Sequence, residues 1–200
     1  MADVTISGLS PSTPNKDTAI IPYSDGSTTY KTSPSGIVAA APGCMIQVVQ
    51  SVKTDTQLIA GASYVDVTGL SASIKPASAA NKILVSACVH GGNSSYMGYI
   101  RLNRNGTDIC MPTGAGSRTN AACAATLGLY AYNPTIYAIT CATVTFLDSP
   151  GTTDALSYKI RACAYDDASY TTINSSHANR DTANYDPVTV STITLMEIAG

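Results

Sequence analysis

His90 and His177 are the two histidines in a chain of 200 residues. A Ser-His-Asp relay would have to be built on one of them. Neither has a supporting motif. The strained GxSxG elbow that exposes a serine nucleophile is absent, and Ser and Asp are frequent enough that one near a histidine carries no information. His90 closes the strand-like run "LVSACVH" just before Gly91-Gly92, and reads as an edge or loop histidine. His177 lies in a polar loop. Among the acids, Asp148 and Asp154 flank a turn and Asp166 adjoins Asp167. Loop carboxylates ligate calcium, but no EF-hand or related spacing appears, and solvated turn formers are the simpler reading. A polysaccharide hydrolase would need acids gathered in a groove, whereas these lie in turns. The Gly-rich "TGAGSRTN" (113–120) lacks GK[ST] and a following helix, so it reads as a hairpin tip and not a phosphate cradle.

Six cysteines, Cys44, Cys88, Cys110, Cys123, Cys141 and Cys163, stand singly, none in CxxC or another metal-ligand spacing. Several fall in apolar strand patterns, as in "AITCATVTF", and read as reduced thiols buried as small hydrophobes. Disulfides are the alternative. No signal-peptide pattern opens the chain, so no route to an oxidising compartment is expected. No catalytic residue, cofactor or metal site is expected. What the loops offer is contact residues: Tyr96, Ser117 and Tyr170, with Tyr185, suit a glycan or protein surface, or simply pack loops on a sheet.

The elements that would carry these residues are strands. Tyr, Thr, Val and Ile, the β-formers, are abundant, with twelve Tyr against one Phe and no Trp. "CMIQVVQSV" (44–52) opens the series. "SYVDV" (63–67) and "TGLSASIKP" (68–76) follow, then "KILVSACVH" (82–90) with Ile83, Val85, Ala87 and Val89 on one face. "YMGYIRLNRNG" (96–106) turns Ile100 and Leu102 inward and Arg101 outward, and its Asn105-Gly106 is a two-residue hairpin signal leading to "TDICM". "AACAATLGLY" (121–130) suits strand or helix. "TIYAITCATVTFL" (135–147) and "ALSYKIRACAY" (155–165) flank the turn "DSPGTTD", with Leu156, Tyr158 and Ile160 inward. Helical periodicity is nearly absent. The expectation is all-β: roughly eight to ten antiparallel strands in a two-sheet jelly-roll sandwich.

Residues 1–43 differ from the rest. They are rich in Pro, Ser, Thr and Gly, with isolated apolar anchors at Ile6, Leu9, Ile20, Ile21, Tyr23 and Tyr30. An extended N-terminal arm or linker (1–43) ahead of a β domain (44–200) is expected, its anchors docking on something else. Charged residues make up only 12% of the chain, where about 25% is usual. Net charge is −2 with scattered Lys and Arg, which argues against nucleic acid. No run reaches the roughly 18 apolar residues of a membrane span. A surface so poor in charge is weakly protected against association, which suggests that partners cover it.

The last strand sharpens that point. In "VSTITLMEIAG", Val188 and Val190 alternate with Thr189 and Ser191. Farther on, Ile193 and Leu195 point one way and Met196 and Ile198 the other, with a lone acid, Glu197, among them. One face is expected to fill the core and the other to meet copies of the same chain. A bulge near Ser191-Thr192 would decide which. Ile193, Leu195 and Glu197 are the candidate trimer-interface residues, and a carboxylate at a threefold axis would need a partner such as Lys or Arg.

Three stretches carry a resemblance. "LSASIKPASAANKILVSACV", "TVTFLDSPGTTDALSYKIRA" and the terminal "STITLMEI" are similar, in that order, to segments of tailed-bacteriophage virion proteins. "ISGLSPSTPNKDTAIIPYSDGSTTYKTS" is similar to their short head or fibre modules. The resemblance implies a jelly roll like that of tumour necrosis factor and C1q, assembled as a homotrimer with its last strand near the threefold axis. It implies a virion protein, made in the host cytoplasm and placed on the outer capsid surface. One form would be a cement or decoration protein whose arms staple the major capsid protein. The alternative is a short head or tail fibre that binds a host glycan or protein. The lack of a repetitive shaft between arm and domain favours cement, whose arms gain affinity by strand pairing and multivalency.

Overall fold

A computed structural model describes residues 42–94, 96–113, 116, 137–181 and 185–200, and the backbone of 21–24, 29–32 and 126–127. The described secondary structure is all-β and antiparallel. Strands β1 (Ile21–Ser24) and β2 (Thr29–Thr32) pair with each other as a separate hairpin, Tyr23 opposite Tyr30. The other eleven strands form two sheets.

In the first sheet, β6 (Lys82–Asn93) is central. β10 (Thr140–Asp148) runs along one side of it. Along the other side lie β13 (Ser191–Ile198) and then β12 (Tyr170–Ile173), which pair outward with β3 (Met45–Lys53) and β4 (Gln57–Ala60). The second sheet runs β5 (Val65–Ile74), β11 (Leu156–Cys163), β7 (Gly98–Arg104), with β8 (Thr107–Ile109) and β9 (Thr126–Leu127) both on β7. The alternation along each strand follows from the pleat. Ile83, Val85 and Val89 from β6, Val144 from β10, and Ile193 and Leu195 from β13 meet Leu70, Ile100, Leu102, Tyr158 and Ile160 of the second sheet in one core.

Several expectations hold in detail. Ile83, Val85, Ala87 and Val89 share the buried face, as do Ile100 and Leu102, and Leu156, Tyr158 and Ile160. Asn105 and Gly106 take φ of 48° and 90°, the left-handed pair a tight hairpin turn requires. Others change. Residues 63–76 give one strand, not two. Its pairing slips between Lys159–Ser71 and Arg161–Asp66, Gly69 adopts φ 83°, and the bulge lets both Val67 and Leu70 face the core. The strand at Gln57–Ala60 was hidden because four residues are too few for a period to show. His90 lies within the central strand, not at its edge, because β6 continues to Asn93 through two glycines.

Polar side chains close what the ladders leave open. β5 pairs on one side only, with β11. Along its other edge, Ser51 Oγ donates to the Ser71 carbonyl (2.5 Å) and Gln47 Nε2 to the Lys75 carbonyl (2.8 Å). Gln57 accepts from the Thr68 N–H (2.9 Å) and donates to the Asp66 carbonyl (3.3 Å), replacing a missing strand residue with an amide. Between the sheets, Asp148 at the end of β10 accepts from the Tyr158 hydroxyl (2.6 Å) and pairs with Arg104 (2.6 Å). Burial, then the Asp148 carboxylate, pushes the Tyr158 phenol well above its usual range.

Asn174 joins the most elements. It is fully buried with φ 62°. Its N–H donates to the His90 carbonyl (2.8 Å) and its carbonyl accepts from Thr189 N–H (2.9 Å). Nδ2 donates to the Lys53 and Asp55 carbonyls (2.8 and 2.9 Å), and Oδ1 accepts from Ser191 Oγ (2.6 Å). Asparagine tolerates this backbone region better than most side chains. Asn174→Ala is expected to lower unfolding free energy by about 2–4 kcal/mol, from unpaired buried groups and left-handed strain. Asn174→Gly, which relieves only the strain, should fall between the two in urea denaturation. An alanine variant as stable as the parent would show that the side-chain bonds contribute nothing.

Candidate functional site

The outer faces of the two sheets differ in kind. On the second sheet, Lys159 pairs with Asp66 (2.6 Å), Arg161 with Asp66 and Asp108 (3.4 and 3.5 Å), and Arg101 with Asp108 (3.0 Å). Arg101 also lies over the Tyr64 ring, 3.8 Å from its centroid. Burial alone would raise the pKa of Asp108, but bonds from Asn103 and Arg101, with the Arg161 charge, hold it below the usual range. This face is a solvated ion network.

The first sheet's outer face is nearly charge-free. The register lines up Val48, Met196, Leu84 and Leu147 in one row across four strands. Gln50, Thr194, Ser86 and Thr145 make the next row, and Val52, Thr192, Cys88 and Thr143 the one after. Ile198 lies beside Met45 and Lys82, and Lys82 is the one charged side chain among these described positions. Met45, Val48, Val52 and Leu147 are each about half exposed. Exposed apolar side chains gathered in rows mark a contact surface more than scattered ones do.

At the upper end of this face, the rows end in Cys88, His90 and Cys141. Cys88 and His90 are two apart on β6, hence on one side of the pleat, and Cys141 pairs opposite His90. Their donor atoms lie within 4.8 Å of one another. Cys141 is exposed, and its thiol is pushed up to about 11, by burial of the sulfur first and by Cys88 second. The sequence hid this group because two of its members lie 53 residues apart. The visible signal was Cys-x-His at strand spacing. Cys44, Cys88, Cys141 and Cys163 are free thiols, as the main reading expected, while Cys110 is disulfide-bonded, the alternative.

The expected interface residues fall on the inward side of β13. Ile193, Leu195 and Glu197 are each 0% exposed and face the chain's own core, so the outward side carries Thr192, Thr194, Met196 and Ile198 instead. No bulge intervenes at Ser191-Thr192. The register shift comes between Glu197 and Ile198. Glu197 also lacks the cation expected for it. Asn81 Nδ2 and the Ala77 N–H donate to Oε1 (2.5 and 2.7 Å), and Gln47 Nε2 donates to Oε2 (2.5 Å). Burial pushes its pKa up, but these three donors together outweigh burial and hold the carboxyl below the usual range.

Of the arm anchors, Ile6, Leu9 and Ile20 lie outside the described residues. Ile21 and Tyr23 are on β1 and Tyr30 on β2. Of the loop contacts, Ser117 lies outside the described residues. Tyr96 is 44% exposed and packs against Tyr165 with the rings tilted by 53°, centroids 4.7 Å apart. Tyr170 stacks on His177 at 5.1 Å. Tyr170 opens strand β12 and does not lie on a loop; the Ser94 N–H donates to its carbonyl and its N–H to Ser94 Oγ, so the loop before β7 is tied to the start of β12. Burial lowers the pKa of His177. It has no acid within bonding reach among the described residues.

No protein-family model matches the chain, and no curated protein matches it. Among solved structures, it is similar to chains from infectious bursal disease virus. For the Gx strain the TM-score is 0.39 at 15% identity, covering 90% of this chain and 46% of that one. For the Gt strain the values are 0.37, 14%, 90% and 47%. For the VP2 subviral particle they are 0.37, 15%, 90% and 46%. The chain thus spans about half the length of the structures it matches.

Glu197→Gln is expected to cost about 1–3 kcal/mol at pH 7, the worth of charge-assisted bonds inside a protein. The folded carboxyl titrates below the unfolded one, near 4.3. Its contribution is therefore present above that pH and lost as pH falls through the folded value. Urea midpoints of parent and variant should converge as pH is lowered from 7 through the folded value. A gap independent of pH would mean that the ionised form contributes nothing.

Proposed function

We propose that this chain is a bacteriophage virion structural protein, a homotrimeric capsid cement protein built on a jelly roll of the tumour necrosis factor and C1q type. It performs no chemistry, and its mechanism is burial of interface. The observation that carries the reading is the unequal treatment of the two outer faces. A protein with few charges has placed an ion network on one sheet and left four strands of the other almost free of charge.

The strand order supports the fold assignment. Sheets ordered β3-β13-β6-β10 and β5-β11-β7-β8 place chain-distant strands side by side, as a jelly roll does. The resemblance of three stretches to phage virion proteins supports the virion role. The occupant assigned to the charge-poor face is two further copies of the chain. Rows alternating between apolar and small hydroxyl or amide side chains suit a like surface, whereas a charged target would leave them unpaired. Closed symmetry at a local threefold position of a lattice then buries the face in every subunit. The arm, with Ile6, Leu9, Ile20, Ile21, Tyr23 and Tyr30, is assigned to the major capsid protein, which it would grip by strand pairing and side-chain pockets. Tyr96 and Tyr165 on their loops, beside Tyr170 at the start of β12, favour a second reading, a short fibre that meets a host glycan or protein. Copy number per particle separates the two: hundreds for cement, a few dozen or fewer for a fibre.

Met196→Asp, pointing outward, is expected to convert trimer to monomer in sedimentation velocity with an unchanged circular dichroism spectrum. Leu195→Asp, pointing inward, should instead abolish folding, because an unpaired charge would enter the core. A Met196→Asp protein that still sediments as a trimer would place the interface elsewhere. Removing residues 1–43 should leave the trimer intact and abolish binding to capsids. Undiminished capsid binding would refute the role given to the arm.

A further inference from the structure

We infer that Cys88, His90 and Cys141 form a binding site for a thiophilic divalent cation, Zn2+ by the chemistry of its donors. The three side chains come from adjacent outward positions of two paired strands, so the backbone itself brings them together. Cys88 Sγ lies 2.8 Å from Cys141 Sγ and 3.9 Å from His90 Nε2. All three donors fall within 4.8 Å of one another.

The histidine is already set for the task. Its Nδ1 lies 2.8 Å from the Val190 carbonyl. A carbonyl only accepts, so Nδ1 carries the proton and the Nε2 lone pair is left pointing toward the sulfurs. A ring fixed by a backbone carbonyl behind it is the usual support of a metal-bound histidine. The main chain at His90 is held as well, its N–H donating to Ser191 Oγ (2.9 Å), which is bonded in turn to Asn174.

Tetrahedral Zn2+ holds sulfur at about 2.3 Å and nitrogen at about 2.0–2.1 Å, which spaces its ligand atoms by roughly 3.5–3.8 Å. The Cys88 Sγ–His90 Nε2 distance of 3.9 Å lies just above this range. The two sulfurs must part by about 1 Å, a side-chain rotation on the open face of a sheet that leaves the backbone in place. Binding replaces two thiol protons by one cation: both S–H bonds break, both protons pass to solvent, and two Zn–S bonds and one Zn–N bond form. Two thiolates and a neutral imidazole leave the site with no net charge, matching the charge-poor face around it. Cys141 is exposed, so the fourth position opens to water. A Cys2His set with one open position suits Zn2+ more than the hard cations Mg2+ and Ca2+, which take oxygen. This inference does not rest on the virion reading, since all three ligands come from one chain.

The test uses Co2+ as a spectroscopic stand-in, added to the full chain purified without oxygen. The expected result is one Co2+ per chain, with sulfur-to-cobalt charge-transfer absorption and the intense visible bands of a tetrahedral site. One equivalent of Zn2+ should bleach them. Cys88→Ser, Cys141→Ser and His90→Gln should each lower affinity at least 10-fold, with unchanged circular dichroism because all three point away from the core. Cys163→Ser serves as the control and should leave the spectrum intact. Weak octahedral bands in the parent, or an unchanged spectrum in the three ligand variants, would overturn the assignment. So would a Cys88–Cys141 disulfide found by mass spectrometry in the anaerobically purified chain. Failure of the Met196→Asp test leaves this result untouched, and the reverse also holds.

Discussion

Asn174 is the constraint on which the first sheet depends. A single buried amide satisfies the carbonyls that end β3 and open the turn to β4, anchors Ser191 at the start of β13, and takes its own backbone bonds from β6 and from the segment before β13. Buried polar groups are costly unless every member is paired, and here pairing is complete on both ends of the side chain. The result is a fixed register between strands that come from far-apart parts of the chain. Register matters because a one-residue slip would exchange the two faces of a strand. On β13 such a slip would turn Ile193 and Leu195 to water and bring Thr192 and Thr194 into the core. The same chain of bonds reaches His90 through Ser191, so one residue governs the core, the outer face and the aim of the imidazole.

Charge is distributed with the same economy. The carboxylates of Asp66, Asp108 and Asp148 each meet an arginine or lysine that bridges strands, and Glu197 is held by amides. On the outer face of the first sheet, Gln50, Thr192, Thr194, Ser86, Thr143 and Thr145 take the polar positions instead. Neutral side chains pair with one another at little desolvation cost, whereas a buried ion needs complete compensation. Hydroxyls and amides are therefore cheaper to bury than ions. On the outer face, Gln50 Nε2 donates to Thr194 Oγ1 (2.8 Å), one such neutral pair formed between neighbouring strands.

The sequence made the long strands legible. The alternation in "KILVSACVH" and "ALSYKIRACAY" gave their existence and their inward faces, though not their ends, because a strand with one charged or polar face writes its orientation every second residue. Asn105-Gly106 announced its turn for a conformational reason that needs no context. Strand β5 was split in two by its glycine, since a bulge resets the period that a reader follows. The last strand was harder. Apolar residues stand on both of its faces, so composition alone could not say which pair was the core. Only the pairing with β3 and β6 decides it, and the decision went against Ile193, Leu195 and Glu197 as contact residues. The cysteine–histidine group was unreadable for a related reason. Ligand spacing along the chain is a local code, while a sheet assembles ligands across its strands.

The closed edge of β5 has a consequence beyond the single molecule. Exposed strand edges recruit further strands, and the tendency grows with concentration. Gln47, Ser51 and Gln57 occupy the hydrogen-bonding groups along that edge, so another chain's strand finds few free donors or acceptors there. The protection is local to this edge: it withdraws β5 from strand-to-strand joining without adding a charge or a further strand. The side-chain amides and hydroxyl act there as stoppers on growth of the second sheet.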